Sequence, residues 1–423
     1  MTRLLYSLAW TLALPLVLAR LWWRGRKEPG YRQHLGERLG FYGPRAGSAP
    51  SIWVHAVSVG ETRAAEPLID ALLQAWPQHR IILTHMTPTG RATGAALFGK
   101  HGARLVQSYL PYDTEFLVRR FLRHFAPKVC ILMETEVWPN LVAACGKHGV
   151  PVALVNARLS ERSLRRGLRF GKLMAAAARG ISLVAAQTPA DAERVRQLGA
   201  PHIAVTGSIK FDVVVPDAAL QTGAWLRECI GNRPVLLCAS TRDGEEALIL
   251  DAYERMANRP HGLLLMIVPR HPQRFDDVAG MVAARGLSLA RRSTLAELAP
   301  GVQVLLGDSM GEMFAYYAAC DCAFVGGSLL ALGGQNLIEP CALGKPVLIG
   351  LHTFNFALVT EEAIAAGGAV CVDNADALML QATRLLGDAS ARQDMGARAA
   401  AFANLHRGAT ARTMALISPL VGL

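Results

Sequence analysis

The stretch IWVHAV at residues 52–57, followed at once by SVGETR at residues 58–63, decides the fold of this chain. A mostly apolar run ends at Ser58 and Gly60, which permit a tight turn, and a helical pattern follows. A buried strand that leads through a short turn into a helix is the first half of a βαβ unit. The sequence therefore predicts a parallel sheet covered by helices, with ligand-binding groups beyond the carboxyl ends of its strands.

The same alternation recurs along the chain and predicts two sets of strands. Each strand is short, rich in Val, Ile and Leu, and separated from the next by a segment long enough for a helix. The first set is Ile52–Val57, Arg80–Thr84, Val129–Met133, Val152–Asn156, Ser182–Ala186 and His202–Thr206. The second set is Val235–Ala239, Leu263–Val268, Val302–Leu306, Cys322–Val325, Val347–Ile349 and Ala369–Val372.

The length of 423 residues also favours two domains, because single hydrophobic cores stop growing at about 250–300 residues. Pro216, Gly231 and Pro234 interrupt the pattern and indicate a linker. We predict an anchoring segment over 1–27, a first Rossmann-like domain over 28–211, a linker over 212–233 and a second Rossmann-like domain over 234–423, closed by Ala-rich helices. Such domains are expected to face a cleft.

Composition and charge exclude several classes of protein. Hydrophobic residues make up 52% and charged residues 18%, which excludes a disordered chain. The net charge is +11, and the first 45 residues hold eight Lys or Arg against two Glu, so 8 − 2 leaves +6 there. This basic excess adjoins an apolar segment and lacks an interleaved aromatic surface, which favours anionic lipids as partners over nucleic acid. The eight cysteines form no CxxC pair, so we expect reduced thiols and a cytoplasmic setting.

The amino-terminal apolar segment is predicted to anchor the chain to a membrane. Residues Leu4 to Leu18 are apolar apart from Ser7 and Thr11, and no small-residue cleavage site follows. Fifteen residues fall short of the roughly 20 that a spanning helix needs, so the segment either spans the bilayer or lies in its interface. A core helix of the first domain is the alternative.

Three motifs follow strands of the first domain. Glu61, at a helix start, is either a first-turn capping acid or a general base at a strand end. Glu134 and Glu136 follow an apolar strand, where the alternatives are a functional pair and a solvated edge. Lys210 is either a cation for a phosphate or carboxylate, or a solvated linker residue.

The second domain offers a candidate nucleotide site without a metal motif. Arg270 lies between prolines after a strand and suits bidentate phosphate binding. The run 307–312 opens a helix, and Gly327 and Ser328 lie in a glycine-rich turn that either admits a phosphate or serves packing. Glu339 is suited to accept hydrogen bonds from ribose hydroxyls. No Asp-x-Asp motif or His cluster indicates a metal, so we expect no metal and no cofactor.

Six motifs in order resemble the Kdo (3-deoxy-D-manno-octulosonic acid) transferase family of lipopolysaccharide synthesis. They are HAVSVGE, METEVWPN, GSIKFD, PRHPQRF, GDSMGE and GGQNLIEP, and the resemblance covers nearly the whole chain. It implies a GT-B glycosyltransferase on the cytoplasmic face of the bacterial inner membrane, with the acceptor-binding domain first and the CMP-sugar-binding domain second. Attack on the anomeric carbon from the face opposite the phosphate would give inversion, and Lys210, Arg270 and helix N-termini would offset the leaving charge without a metal. The donor would be CMP-Kdo, and the acceptor the glucosamine disaccharide of a lipid A precursor.

The resemblance also implies roles for particular residues. Glu61 would be the base, assisted by Glu134 and Lys210. Contacts to CMP would come from Pro269, Arg270, Met310, Gly311, Glu312, Asn336, Leu337, Ile338 and Glu339. Two other functions remain open: a membrane-associated GT-B transferase that uses a different nucleotide sugar, such as a UDP-sugar, and an anchored nucleotide-binding module without turnover.

Overall fold

The computed structural model describes residues 2–44 and 49–422 of the chain. Arg45, counted above in the basic amino-terminal region, and the outermost residues of the first and last predicted segments lie outside the described residues. The chain divides into two compact units. The first unit comprises Met1–Asp212 and Arg407–Leu423, and the second comprises Val213–His406.

The first unit is built on a parallel sheet of seven strands in the order β3-β2-β1-β4-β5-β6-β7. The strands are β1 (Ser51–His55), β2 (Arg80–His85), β3 (Leu105–Tyr109), β4 (Pro127–Met133), β5 (Val152–Ala157), β6 (Leu183–Ala186) and β7 (Ile203–Val205). The helices of this unit are α1 (Arg3–Arg24), α2 (Leu35–Arg38), α3 (Val59–Ala64), α4 (Glu66–Ala75), α5 (Pro88–Phe98), α6 (Glu115–Phe125), α7 (Pro139–Lys147), α8 (Glu161–Arg169), α9 (Lys172–Arg179), α10 (Pro189–Leu198) and, near the carboxyl terminus of the chain, α19 (Ala409–Val421).

The second unit has its own parallel sheet of seven strands, in the order β10-β11-β9-β8-β12-β13-β14. The strands are β8 (Val235–Thr241), β9 (Leu264–Pro269), β10 (Leu289–Arg291), β11 (Val304–Leu306), β12 (Cys322–Val325), β13 (Val347–Gly350) and β14 (Ala369–Val372). The helices are α11 (Asp217–Ile230), α12 (Glu245–Arg255), α13 (Phe275–Ala284), α14 (Met313–Ala319), α15 (Ile338–Ala342), α16 (Ala357–Ala365), α17 (Ala375–Gly387) and α18 (Ala389–Leu405).

Helices cover both faces of each sheet, which is why the central strands are apolar throughout. In β1, Ile52 and Val54 belong to one hydrophobic cluster, whereas Trp53 belongs to another. Successive side chains of a strand point to opposite faces, so the two clusters are the two layers of the core. All three side chains are fully buried. The predicted fold class, two Rossmann-like units with an apolar amino-terminal helix, is confirmed.

The sequence missed two strands, and both lie at the edge of a sheet. β3 contains the polar residues Gln107 and Ser108, and its first three residues are only partly buried. β10 has three residues, all partly buried. Because β3 is partly polar and β10 has three residues and ends in Arg291, neither has the apolar run that predicts the other strands, which include the edge strands β7 and β14.

The last helix belongs to the first unit and not, as the sequence predicted, to the second. α19 packs through Ala409, Ile417 and Val421 into the same cluster as β1. The predicted linker over 212–233 also differs, because most of it forms α11 in the second unit. Helix α18, which covers the Ala-rich stretch 389–404, lies in the second unit.

Candidate active site

Glu61 lies in the first turn of α3, directly after the loop that leaves β1. The hydroxyl of Ser58 donates to Glu61 Oε1 at 3.0 Å, and the backbone N–H of Val57 donates to Oε2 at 2.9 Å. The Ser58 hydroxyl in turn caps the helix by accepting from the N–H of Glu61. The arrangement is similar to a capping box, but the carboxylate accepts from the N–H of the residue before the N-cap. It fixes the orientation of the carboxylate without burying it completely.

The electrostatics of Glu61 suit proton transfer near neutral pH. Burial raises the pKa of Glu61 to about 7, and the nearby charges of Glu136 and Glu134 also raise it. The hydrogen bonds from Val57 and Ser58 act in the opposite direction. A carboxyl group whose pKa lies near the working pH is suited to take a proton from a hydroxyl group.

Glu134 and Glu136 follow β4 and have different partners. Glu134 adopts a positive φ of 55°, and its Oε1 lies 2.8 Å from Lys210 Nζ. Glu136 instead accepts a hydrogen bond from Trp138 Nε1 at 3.0 Å, and burial raises its pKa. The structure therefore joins two of the three predicted catalytic residues in an ion pair, and both are largely buried.

Lys210 is held in a single turn of 3-10 helix, Ile209–Phe211, by contacts at both ends. The N–H of Ile209 donates to Asn156 Oδ1 at 3.1 Å, and Asn156 is fully buried with a φ of 52°. On the other side, the carboxylate of Asp212 accepts from the N–H groups of Gly408 and Thr410, at the start of α19. Lys210 is thus not the solvated linker residue of the alternative interpretation.

Arg270 begins the loop after β9, and its backbone N–H donates to Thr241 O at 2.9 Å at the end of β8. Pro269, the other predicted contact here, is buried as the last residue of the strand. The pKa of the neighbouring His271 is lowered by burial and by the charges of Arg242 and Arg270. This end of the sheet therefore concentrates positive charge, as an anion site requires.

The turn after β11 presents Met310, which is exposed, and Gly311, whose φ is 83°. Glu312 is not free to approach a ligand without exchanging partners. It bonds Arg292 Nη2 at 2.9 Å and accepts from the Ser309 hydroxyl at 2.5 Å.

The glycine turn, Gly326–Leu329 after β12, corrects one expectation from the sequence. The predicted phosphate-binding groups were the backbone donors of Gly327 and Ser328. Both residues are buried, and both N–H groups donate to the carboxylate of Glu245, at 2.6 and 3.0 Å. An internal carboxylate occupies the place predicted for a phosphate, so these donors do not serve a ligand directly.

Within the run 336–339, polar and apolar side chains point differently. Asn336 Nδ2 donates to Glu339 Oε1 at 3.1 Å, and both side chains are partly exposed. Leu337 and Ile338 are fully buried, so their side chains belong to the core. The N–H of Ile338 donates to Asn336 Oδ1. Asn336 and Glu339 therefore remain the polar side chains of this run that a ligand can meet.

Sequence reasoning missed Asn156, Asp212 and Glu245, each of which holds a predicted site segment in place. The buried carboxylate of Glu245 stands in the run RDGEE, which carried a signal because two adjacent acids begin a helix there. Over residues 2–44 and 49–422, no three His, Cys, Asp or Glu side chains are grouped so that they could hold a metal ion.

Comparison with known proteins gives one consistent family. A family profile described as 3-deoxy-D-manno-octulosonic-acid transferase (kdotransferase) matches residues 33–213. The 3-deoxy-D-manno-octulosonic acid transferase of Bordetella pertussis is 46% identical, covering 100% of both chains. The protein of the same name from Haemophilus influenzae is 39% identical, covering 99% of both chains.

A solved structure has a fold similar to that of this chain. The UDP-GlcNAc 2-epimerase of Neisseria meningitidis, bound to UDP-GlcNAc, aligns with a TM-score of 0.57 at 14% identity. The alignment covers 87% of this chain and 100% of that chain. At such low identity the likeness is one of fold, and it agrees with the predicted GT-B class.

Proposed function

The chain belongs to the 3-deoxy-D-manno-octulosonic-acid transferase family and is a glycosyltransferase; on that premise we propose its substrates and mechanism. The donor is CMP-Kdo, and the acceptor is a hydroxyl of the glucosamine disaccharide of a lipid A precursor. The sugar is transferred with inversion and without a metal ion. The observation that carries the proposal is the Glu61 carboxylate, oriented by two hydrogen bonds and with a pKa of about 7.

In this mechanism Glu61 takes the proton from the acceptor hydroxyl. The oxygen then attacks the anomeric carbon of Kdo from the face opposite the phosphate, and the bond from that carbon to CMP breaks. A positioned base of this kind contributes about 10²–10⁴ in rate. The ion pair of Lys210 with Glu134 supplies a fixed cation in the same unit, 2.8 Å from its carboxylate partner. Fixed charges of this kind stabilise a developing negative charge without reorganising.

Arg270 and Glu339 are proposed to bind the CMP part of the donor. Arg270 stands at the basic end of the second sheet, where a phosphate is favoured, and Glu339 is partly exposed for the ribose hydroxyls. The leaving phosphate gains charge as the glycosidic bond breaks, and a guanidinium group offsets that charge with two parallel hydrogen bonds. This arrangement needs no metal ion at the phosphate.

We further propose that α1 holds the protein on the cytoplasmic face of the inner membrane. By length and composition α1 is the one helix among the described residues that qualifies as a membrane span. One of its faces packs on the first unit, where Trp10 lies 5.8 Å from the ring of Tyr112 and the Ser7 hydroxyl donates to Asn140 Oδ1. The opposite face is apolar and exposed through Leu4, Leu5, Leu8, Leu12 and Leu16.

With one face packed on the protein and the other exposed, α1 is better suited to lie in the membrane interface than to cross the bilayer. A crossing helix would have to leave its contacts with Tyr112 and Asn140. Trp22 and Trp23 are exposed at the end of α1, beside Arg24, as expected for a segment at the level of the lipid headgroups.

Mass spectrometry tests the reaction. The full chain is incubated with CMP-Kdo and a tetraacylated lipid A precursor, in parallel with EDTA and with Mg²⁺. We expect the acceptor mass to rise by whole Kdo units in both reactions. A rise with Mg²⁺ alone would contradict metal independence. An unchanged acceptor in both reactions, with folded protein, would reject the substrates and direct the search to other nucleotide sugars.

A further inference from the structure

The glycine turn is organised around the carboxylate of Glu245, at the start of α12. Glu245 Oε2 accepts from the N–H groups of Gly327 at 2.6 Å and Arg242 at 2.9 Å. Oε1 accepts from those of Ser328 and Leu329, both at 3.0 Å. The side chain has no exposed surface. Four backbone donors on one buried carboxylate leave it no capacity to bind a ligand.

The carbonyl groups of the glycine turn hold the next segment of the chain by hydrogen bonds. Gly326 O accepts from the N–H of Gln335 at 3.0 Å, and Gly327 O accepts from that of Gly334 at 2.7 Å. Gly334 has a φ of 72°, so the chain bends here in a conformation that favours glycine. The run 336–339, which contains Asn336 and Glu339, begins directly after Gln335.

The glycine turn also contacts the end of β8, which is hydrogen-bonded to the backbone of Arg270. A Cβ on Gly326 would lie 2.7 Å from Ser240 O and from Thr241 Cα, so only glycine allows this approach. Thr241 O in turn accepts from the N–H of Arg270. The glycine turn thus contacts the end of β8, whose Thr241 carbonyl accepts from Arg270, and the segment that leads to Asn336 and Glu339.

We propose that Glu245 is a positioning residue of the nucleotide-sugar site. It acts through the glycine turn, which sets the place of Asn336 and Glu339 on one side and of Arg270 on the other. This proposal rests on the proposed function, because it assumes that those side chains bind the nucleotide. Glu245 itself does not touch the donor.

The carboxylate is required because all four partners are donors. In Glu245→Gln one oxygen becomes an NH₂ group that faces N–H groups, so two backbone donors lose their acceptor. A buried donor without a partner is unfavourable, and the glycine turn is expected to shift until the donors find other acceptors. The displacement reaches Gly334 and Gln335 directly, through the carbonyl groups of Gly326 and Gly327.

The control is Asp321→Asn, which changes a carboxylate between the same two strands at their opposite end. Asp321 precedes β12, and its Oδ2 accepts from the N–H of Val235, at the start of β8, at 2.8 Å. Both variants weaken the link between β8 and β12. Only Glu245→Gln does so at the carboxyl ends of the strands.

The experiment measures CMP affinity by calorimetry, together with KM for CMP-Kdo, kcat and Tm, in the full chain. We expect Glu245→Gln to weaken CMP binding and raise KM about tenfold or more, with kcat at saturating donor within about threefold of wild type. Asp321→Asn should lower Tm while its CMP affinity stays within about threefold of wild type. A lower Tm with wild-type CMP affinity in Glu245→Gln would overturn the proposal.

Two further results keep the proposal testable if a premise or a variant fails. If the wild type binds another nucleotide and not CMP, the proposed donor is wrong, and the affinity ratio is measured with that nucleotide. If Glu245→Gln does not fold, hydrogen exchange of the wild-type chain decides. We expect the amides of Gly327, Ser328 and Leu329 to be protected before CMP is added and unchanged by it. Protection that appears only with CMP would show that these donors bind the nucleotide and would overturn the role of Glu245.

Discussion

Glu61 and Glu245 occupy equivalent places in the two units and have opposite surroundings. Each follows a glycine and begins a helix after the strand that starts its sheet in sequence, β1 or β8. Glu61 accepts from one backbone N–H and one hydroxyl and is half-buried. Glu245 accepts from four backbone N–H groups and is fully buried. The number of donors, and not the position in the fold, separates a group that can exchange a proton from one that holds the backbone.

The largest expected effect is on kcat and comes from a change at Glu61, the proposed base. Glu61→Gln keeps the size and the hydrogen bond to Val57 but cannot accept a proton, so we expect kcat to fall by about 10²–10⁴. CMP affinity should stay at the wild-type value, which is the reverse of the pattern expected for Glu245→Gln. Turnover measured by mass spectrometry checks the first point, and calorimetry with CMP checks the second.

A matched variant shows whether the effect belongs to the base. Glu66 lies in the same unit, at the start of α4, and burial raises its pKa as well. The proposed mechanism gives Glu66 no role, and its carboxylate lies 3.9 Å from Lys100 Nζ, so Glu66→Gln should leave kcat unchanged. Wild-type turnover in Glu61→Gln would remove Glu61 from the mechanism.

The next effect concerns the cation of the first unit. Lys210→Met removes the charge that lies 2.8 Å from Glu134 and leaves that carboxylate without its ion pair. We expect kcat to fall by about 10²-fold, as when one electrostatic group of a catalytic site is lost. The exposed Lys147, paired with Glu115 on the surface, is the control, and Lys147→Met should leave kcat as it is. Equal turnover of the two variants would contradict the role of Lys210.

Sequence and structure agree best where an apolar run meets a polar one. The central strands and the residues at their carboxyl ends, Glu61 and Glu134 among them, could be predicted because each motif is local. The bonds that hold the site could not, since they join distant parts of the chain. Glu245 meets Gly327 82 residues away, and Asp212 meets Gly408 196 residues away. The same reason applies to the glycine turn: the sequence indicates its backbone donors but not Glu245, the distant carboxylate that accepts from them.

A pH profile sharpens the comparison further, because Glu61 titrates in an accessible range. The base must be deprotonated, so kcat/KM should fall about tenfold per pH unit below 7 and level off above it. Stability follows the opposite direction. The folded-state pKa of about 7 exceeds the ordinary value of 4.5, so the stabilising contribution is complete below pH 4.5 and lost as pH rises through 7.

Denaturation of the wild type and Glu61→Gln between pH 4.5 and pH 8 measures this contribution. The variant should gain stability relative to the wild type as pH rises, since Gln does not ionise. A constant difference between the two proteins would show that the pKa of Glu61 is not raised in the folded state.

The smallest effect tests whether the first unit also uses a carboxylate purely to hold the backbone. Asp212 accepts from Gly408 and Thr410 and so ties the turn that carries Lys210 to the start of α19. Asp212→Asn should cost about 1–2 kcal/mol of unfolding free energy, in the range for a lost helix cap, and lower kcat about threefold to tenfold through Lys210. Chemical denaturation and turnover measure the two effects, and the exposed Asp217, in Asp217→Asn, serves as the control.

If Asp212→Asn loses stability but no activity, the backbone-holding carboxylates of the two units differ, and only Glu245 governs a binding site. If both fall together, each unit pairs one chemically active group with one carboxylate that positions it.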